Sequence, residues 1–552
     1  FRFEMEPAGT GLSQLREQYG KPLLAVMSIS GMLLLIACTN VASMLLARGA
    51  AREAEMGLRV TLGASRSRLF GESVTESMIL SIASGIMGVA LAYFGTGALV
   101  RMIVSARHVG APLDLHVRVD SSVLLFASTL VVVTGFLIGL VPALRALRRA
   151  PASSLREMAT AGGRRSRNLG KGLVVIQVAL SVVLLSAAVL FVGRLSHLEH
   201  INLGFRRDHV LLMKLDAENS GYDNEQLSRA YQDLLQRLKD IPGVRSATLS
   251  ASTPISGAGA NRGVTVEGYE AKPGELRNVM ENWVAPKYFE TLGTPLLLGR
   301  DFEFEERGGR VAIINQTMAR YYFGNTNPIR RHVTFDRDAQ PYEIIGVVGD
   351  AKYIDIREPI MRTIYLNTFQ HTHVASQLVL RTSNDPVAVV SDVRRAVNGI
   401  LVGVTVKRVT TLSDQIDESI VPERLVAVLS GWFGSLGLLL AALGLYGLLA
   451  YTVTRRINEI GIRMALGATG AEVARTVLHD AFLMVFSGLL IGTPLEFWGR
   501  KMALSLVPEL PSGSVLLLVS GVVAMMAVAL LAAYLPASRA ASVDPMEALR
   551  YE

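Results

Sequence analysis

Seven stretches of apolar residues, each about as long as a membrane-crossing helix, punctuate this chain of 552 residues. A helix needs about 20 apolar residues to cross a bilayer. The stretches lie near 22–46, 77–100, 121–142, 172–193, 425–452, 477–495 and 514–536. The sixth ends at Glu496, after Gly492 and Pro494, and its counterpart in an internal repeat is the second. The pattern predicts an α-helical membrane protein of about seven spans.

In residues 194–423, between the fourth and fifth stretches, the apolar residues follow helical spacing in some segments and strand spacing in others. Residues 224–240 place Leu227, Leu234 and Leu238 on one helical face before Pro242 ends the pattern. β-branched runs indicate strands at Val244–Leu249, Val311–Ile314, Tyr342–Val348, Gln377–Arg381 and Val404–Val409, with a helical stretch near 386–399. This mixture predicts an α+β domain with two lobes.

A ten-residue segment occurs twice, each time between two apolar stretches. Glu55-Met-Gly-Leu-Arg-Val-Thr-Leu-Gly-Ala64 recurs as Glu459-Ile-Gly-Ile-Arg-Met-Ala-Leu-Gly-Ala468. Farther on, Pro142-Ala-Leu-Arg145 matches Pro536-Ala-Ser-Arg539. The chain therefore contains a duplicated membrane module. Because one extra span lies between the copies, both modules start on the same side of the membrane, and the repeat is parallel rather than inverted.

Composition and charge fix the class of protein and its orientation. The chain is 50% hydrophobic and 18% charged, with a mean hydropathy of +0.36, too apolar for a soluble protein of this size. Arg and Lys concentrate in loops 48–68, 143–171 and around 455–463, which places these loops in the cytoplasm and residues 194–423 outside. The net charge of +8 is thus topological, and its dispersal, without interleaved aromatics, argues against nucleic-acid binding.

Signals for catalysis or metal binding are weak. The single cysteine, Cys38, excludes an intrachain disulfide. The close histidine pairs, His197 with His200 and His371 with His373, lack further ligands at metal-binding spacing. No G-x-S-x-G element or Walker A loop is present. We therefore predict no catalytic residues, no metal and no cofactor.

The repeated loops have the strongest functional signal. Each predicts a short cytoplasmic helix ended by Gly63 or Gly467 as a C-cap. Leu58 and Leu62 in the first loop, and Ile462 and Leu466 in the second, are four positions apart and share one face. A hairpin whose charges only fix topology is the simpler interpretation, but topology does not require the same order of small and charged residues twice. We expect a docking element in which Arg59 and Arg463 make fork-type hydrogen bonds to a partner or to the glutamates four positions earlier, Glu55 and Glu459.

Two further features leave alternatives open. Glu76 and Asp480 occupy equivalent positions in the two modules, and an acid stabilising a helix N-terminus explains them better than a proton relay. The fifth stretch contains Gly431, Gly434, Gly437, Gly444 and Gly447. These glycines fit either close packing or a helix interface that moves.

The repeated loop and the closing Asp544-Pro-Met-Glu-Ala-Leu-Arg-Tyr-Glu552 resemble the permease subunits of the MacB/FtsX type of ABC transporter. The resemblance extends to Ala285–Gly293, Pro295–Phe302 and Ile345–Asp350 and covers nearly the whole chain. It is closest to the duplicated permeases of that family, with the N-terminal part of the first half apparently lacking.

The resemblance implies a division into segments. Residues 1–21 would be the remnant of a first outer domain, 22–158 the first FtsX-like membrane module, 159–171 a basic cytoplasmic linker and 172–193 a transmembrane helix. Residues 194–423 would be a periplasmic MacB-like core domain and 424–552 the second FtsX-like module. The protein would lie in the bacterial inner membrane, in contact with membrane lipid.

The resemblance also implies a function. A separate cytoplasmic ABC ATPase dimer of the MacB/LolD kind would bind the two loops and drive the periplasmic domain in export or efflux, with periplasmic proteins as further partners. The implied coupling residues are Arg52, Glu55, Gly57, Arg59, Gly63 and Ala64 in the first loop, and Arg456, Glu459, Gly461, Arg463, Gly467 and Ala468 in the second. The alternatives are a membrane-anchored periplasmic binding or scaffold module and an ion-coupled carrier.

Overall fold

A computed structural model describes residues 14–51, 66–104, 121–148, 162–506 and 515–542, except 219, 305, 307–308, 337, 339 and 371–374. The chain divides into two compact units, which we call the membrane unit and the outer-domain unit, the latter containing Leu198–Val421. Each is described by itself.

Long helices form the membrane unit. They are α1 (Gln14–Ala51), α2 (Arg66–Val104), α3 (Ser121–Arg148), α4 (Gly162–His200), α10 (Val421–Arg455), α12 (Gly470–Leu506) and α13 (Val515–Ala541), with the short α11 (Ile457–Ala465) between α10 and α12. Among described residues, six helices are long and apolar enough to span a membrane. The predicted third span lies in α3, whose described apolar part, Ser121–Val133, is shorter.

Two predicted boundaries are corrected. α12 does not stop at Glu496, because its helix continues past Pro494 and its candidate span is Gly470–Lys501; an acid near a helix end can reach the aqueous interface. α4 begins at Gly162, inside the segment 159–171 that we expected to be a linker. Arg and Lys are good helix formers, so a basic stretch next to a span can extend its helix.

Helix α4 packs against α1, through Leu184 with Ile29 and Ile36, and against α10, α12 and α13. Val174, Val178 and Val182 of α4 share one apolar core with Leu445 of α10, Met484 of α12 and further residues of α13. Ser181 donates to the carbonyl of Gly437, at 3.1 Å, and Gln177 to that of Leu440, at 2.6 Å. The later residue of α4 pairs with the earlier residue of α10, so the two helices are antiparallel. Two successive spans must cross the membrane in opposite directions.

The glycines of α10 fall into two sets, those that contact neighbouring helices and those that do not. A Cβ on Gly434, Gly437 or Gly444 would lie within 3.1 Å of atoms of neighbouring helices, whereas Gly431 and Gly447 have nothing within 4 Å. Three of the five therefore permit close helix packing.

The outer-domain unit contains one branched sheet and short helices. Its strands are β1 (Val210–Asp216), β2 (Val244–Ser250), β3 (Ala260–Val266), β4 (Asn278–Val284), β5 (Leu296–Gly299), β6 (Val311–Asn315), β7 (His332–Phe335), β8 (Tyr342–Val348), β9 (Thr363–Asn367), β10 (Gln377–Thr382) and β11 (Thr405–Thr411). Its helices are α5 (Asn224–Leu238), α6 (Tyr288–Leu292), α7 (Gln316–Phe323), α8 (Val390–Ile400) and α9 (Leu412–Ser419). The two predicted helices and all five predicted strands are confirmed.

One lobe consists of two β-α-β units, β1-α5-β2 and β10-α8-β11. Its antiparallel strand order is β11-β1-β10-β2, the arrangement of a split β-α-β fold. Helix α5 starts at Asp223, whose side chain accepts a bond from Gln226 N in a capping box. Leu234 of α5 and Val393 of α8 lie in the same core with Leu211 of β1.

The other lobe is inserted between β2 and β10. Strand β4 pairs with both β3 and β9, and β7, β8 and β6 connect those two, so six strands close into a ring. A second core, including Val264, Trp283, Phe335 and Ile364, belongs to this lobe. The lobes share one sheet through the pairing of Ser250 with Val284. The predicted two lobes are thus two cores along a single sheet.

Candidate functional site

The two repeated loops differ in how much of them the structure describes. Arg52, Glu55, Gly57, Arg59, Gly63 and Ala64 of the first loop lie outside the described residues. The second loop, with Arg456, Glu459, Gly461, Arg463, Gly467 and Ala468, is described in full at the backbone. The geometry below therefore concerns the second copy.

The second loop folds into a helix with defined ends. α10 stops at Arg455, and after Arg456 the chain turns into α11, whose first bond runs from Ile460 N to Arg456 O at 2.8 Å. At the other end Gly467 has φ 102°. Its N–H bonds Met464 O, and Ala468 N–H bonds Arg463 O, both at 3.0 Å. These two bonds make a Schellman motif, which confirms the predicted helix and its glycine C-cap.

α12 begins immediately after this cap. Thr469 N bonds a carboxylate oxygen of Glu472 at 3.0 Å, and Glu472 N bonds Thr469 Oγ1 at 3.4 Å. This reciprocal capping box fixes the first turn of α12. Because only the residues from Leu466 to Thr469 separate the two helices, α11 is a short arm held directly on the start of α12.

The two apolar sides of α11 have different surroundings. Ile460 is buried in a small core with Val453 of α10, Val473 of α12 and Ala540 of α13. Leu466 is 83% exposed and Ile462 48% exposed. The expected face of Ile462 and Leu466 thus exists and is uncovered in this chain. Single exposed apolar residues are common, and the spacing of Ile462 and Leu466 is the one found in helices that dock into apolar grooves.

Charged groups flank this apolar pair. Arg463 Nη2 donates to Glu459 Oε1 at 2.6 Å, and Arg456 Nε lies 3.7 Å from Glu459 Oε2. The expected pairing of Arg463 with Glu459 is confirmed, with one guanidinium nitrogen rather than a fork. Such exposed pairs contribute only about 0.3–0.5 kcal/mol to stability. Their geometry therefore matters more for orienting Arg463 than for holding the fold.

A cleft of about 120 Å³ lies behind α11, lined by the end of α10, by α11 and by the first three turns of α12. Its lining mixes apolar residues with Arg456, Glu459 and Glu472, and it ends at Asp480. Asp480 Oδ1 lies 3.1 Å from Lys171 Nζ on α4, with both side chains about one-third exposed. The explanation of Asp480 as an acid that stabilises a helix N-terminus is wrong, because α12 begins at Gly470 and the dipole effect is confined to the first turn. Sequence reasoning missed its partner Lys171, which is 309 positions away and lies in the segment expected to be a linker.

Metal chemistry has no candidate in the described part of the chain, where no group of three or more His, Cys, Asp or Glu side chains could hold an ion. His371 and His373 lie outside the described residues.

Comparison with known families matches both parts of the chain. A family model described as MacB-like periplasmic core domain matches residues 172–407. A second, described as FtsX-like permease C-terminal, matches twice, at residues 27–151 and 431–545. The double match coincides with the internal repeat, and together the two models cover most of the chain.

Individual relatives are distant. The chain is 27% identical over 286 residues to the uncharacterized ABC transporter permease YknZ of Bacillus subtilis (strain 168), covering 49% of this chain and 70% of that protein. It is 28% identical over 259 residues to the macrolide export ATP-binding/permease protein MacB of Azoarcus sp. (strain BH72), covering 45% of this chain and 39% of that protein. The chain thus spans about two fifths of that MacB protein's length. The periplasmic region of MacB from Actinobacillus actinomycetemcomitans matches in structure with a TM-score of 0.27 and 17% identity, covering 39% of this chain and 94% of that one.

Proposed function

We propose, from the premise that this chain belongs to the MacB/FtsX type of ABC transporter permeases, that an ABC ATPase dimer docks on its two repeated loops and drives motion of its periplasmic domain. The chain is a multi-pass membrane protein with a periplasmic core domain. The proposal adds the separate MacB/LolD-like ATPase, the bacterial inner membrane, and export as the direction. MacB relatives are named for macrolide export, and no substrate is assigned to this chain.

The exposed apolar pair, Ile462 in α11 and Leu466 at its C-cap, carries the proposal. Leu466 and Ile462 form an uncovered apolar surface beside the oriented guanidinium of Arg463. An amphipathic helix inserted into a groove is a recurring mode of protein recognition. A groove with an apolar floor and acidic rim on the ATPase would complement this helix.

The placement of the loop supports the cytoplasmic side. Arg455, Arg456 and Arg463 cluster where α10 ends, and cytoplasmic loops are enriched in such residues. An ATPase that uses cytoplasmic ATP can reach a loop on this side only.

The two caps support force transmission. The Schellman motif at Gly467 and the capping box at Thr469 leave little slack between α11 and α12. A partner that pulls or rotates α11 would displace α12 with it. The chain's own contribution to the cycle is thus mechanical, and the hydrolysis step belongs to the ATPase.

The test is recovery of the ATPase with this chain. The protein would be purified from its native membrane in mild detergent, with bound proteins identified by mass spectrometry and ATP hydrolysis measured. We expect an ABC ATPase to be recovered, and to be lost in Leu466→Asp and Arg463→Ala. Matched controls in the outer-domain unit are Val402→Asp, at an apolar residue 70% exposed, and Arg395→Ala, which breaks the exposed ion pair with Asp392.

Two results would overturn the proposal. One is an ATPase that is retained by both α11 variants at the wild-type level. The other is a folded wild-type preparation, monodisperse in size-exclusion chromatography, that contains no ATPase; this outcome would favour the membrane-anchored periplasmic module instead.

A further inference from the structure

An ion pair between Lys171 and Asp480 joins α4 to α12. Lys171 Nζ and Asp480 Oδ1 are 3.1 Å apart, and about two thirds of each side chain is covered. Asp480 also lines the cleft behind α11. The residue before Lys171 is close to a third helix, since a Cβ on Gly170 would lie 2.9 Å from Leu448 Cδ1 of α10. The pair is therefore close to the docking arm and to two spans.

Beyond this pair, α4 and α12 continue side by side. Gly488 packs against Val175 and Val178, and Gly492 packs against Ala179 and Val182. Later residues of α12 contact later residues of α4, so the two helices are parallel and stay in one register. We call the contacts of Gly488 and Gly492 with α4 the glycine seam. Along α12, the ion pair lies two and three turns before these glycines.

The seam and the ion pair constrain motion differently. Glycines against apolar side chains allow close approach but provide no directional bond. A charge pair that is two thirds covered is screened less than a surface pair and has a preferred distance. Of the contacts between α4 and α12 described above, the ion pair is the directional one at the end nearest α11.

We propose that Lys171 and Asp480 are positioning residues that lock the first turns of α12 to α4, so that displacement of α11 is passed to α4 rather than absorbed by swinging of α12. This inference rests on the proposed function, because it assumes that α11 is displaced by a partner. Asp480 lies ten residues after Gly470, about 15 Å along the helix. Without the pair, this length of α12 would keep its apolar contacts with α10, α11 and α13 but lose its described charge contact with α4.

The first experiment needs no ATPase. Hydrogen exchange followed by mass spectrometry would be measured on the full chain in detergent for Lys171→Gln, Asp480→Asn, and the charge swap Lys171→Asp with Asp480→Lys. We expect exchange in residues 470–480 to rise in each single variant, by up to about fivefold, the factor set by a pair at the upper end of exposed-pair strength. The swap should restore the wild-type rate. Neutralising the exposed pair Arg237–Asp240, in the outer-domain unit, should leave residues 470–480 unchanged.

The second experiment uses the recovered complex. Addition of ATP should change exchange in α4, residues 169–193, in the wild type and in the swap. In Asp480→Asn the ATPase should still be recovered, but the ATP-dependent change in α4 should be lost. A residue that only stabilises the fold would reduce ATPase recovery instead.

The outcomes separate the two ideas. Failure to recover an ATPase overturns the proposed function, and the exchange experiment without ATPase still decides the positioning role. That role is refuted if exchange in residues 470–480 is unchanged in both single variants. It is also refuted if these residues exchange as fast in the charge-swap variant as in the single variants. It is also refuted by a complex of Asp480→Asn in which ATP changes α4 as in the wild type.

Discussion

Replacing Gly488 by alanine tests whether the seam between α4 and α12 is as tight as the structure has it. A Cβ at this position would lie 2.5 Å from Val178 Cγ1, 2.6 Å from Val178 Cβ and 3.0 Å from the carbonyl oxygen of Val175. Valine is stiff about χ1, and the carbonyl belongs to the backbone of α4. Neither can move aside without displacing the helix, so the substitution must open the seam.

The magnitude follows from comparison with a second glycine of the same helix. Gly499→Ala is the control, because nothing lies within 4 Å of a Cβ there. Both variants gain the same helix propensity, about 1 kcal/mol in water, and this term cancels in their difference. Overpacking costs about 1–3 kcal/mol. We therefore expect Gly488→Ala to be less stable than Gly499→Ala by about 1–3 kcal/mol.

Unfolding by sodium dodecyl sulfate in mixed micelles, followed by circular dichroism, provides the measurement. Gly499→Ala should unfold at the same or a higher detergent fraction than the wild type, and Gly488→Ala at a lower one. Equal stability of the two variants would refute the close contact between Gly488 and α4.

Three further predictions concern single groups. The Tyr321 hydroxyl, with the Lys272 N–H and the Tyr269 hydroxyl, lowers the pKa of Glu275 to about 2 from 4.5. The stability that these bonds give the folded state is present above pH 4.5 and lost as pH falls towards 2. In thermal melts from pH 5 to pH 2, the melting temperature of Glu275→Gln should therefore fall less than that of the wild type. The Tyr231 hydroxyl is buried with no hydrogen-bond partner among the described residues, so Tyr231→Phe should match or exceed wild-type stability in urea, and a clear loss would reveal a missed partner. Gly467→Ala puts a side chain at φ 102°, costs about 1–2 kcal/mol locally, and should weaken ATPase recovery; full recovery would argue that the cap is dispensable.

Local signals predicted much of this fold. The apolar stretches gave the long helices because a span must satisfy its backbone internally. Helix α5 and the five β-branched strands followed from periodicity and from turn residues such as Pro242. α11 was predictable because Gly467 is a local stop signal and because the loop occurs twice.

Strands with polar residues were harder to predict. β3 contains Asn261, Arg262 and Gly263, and its stability depends on pairing with β4 and β7 rather than on its own residues. Closure of the ring through β4 and β9 joins segments about 80 residues apart, and β-propensity depends on such neighbours. No single-segment pattern contains that information.

The candidate site shows the same division. Its helix and its exposed pair Ile462 and Leu466 could be predicted from spacing alone, whereas the partner of Asp480 could not. Lys171 lies outside both modules, in the segment 159–171 that the sequence predicts to be a linker, because a basic segment beside a span resembles a topology signal. The helix that brings Lys171 to Asp480 begins at Gly162, within that segment.

The contacts of α4 also bear on whether the glycines of α10 mark a packed or a moving interface. Ser181 of α4 donates to the carbonyl of Gly437, one of those glycines, and Gln177 donates to the carbonyl of Leu440. Interhelical bonds of this kind contribute about 0.6 kcal/mol each in a membrane. Sliding α10 along α4 would break both bonds at once. The described seam with α12 consists instead of Gly488 and Gly492 against apolar groups, which can shift without leaving a polar group unpaired. α10 should therefore move together with α4, and α12 is the helix whose position the Lys171–Asp480 pair has to set.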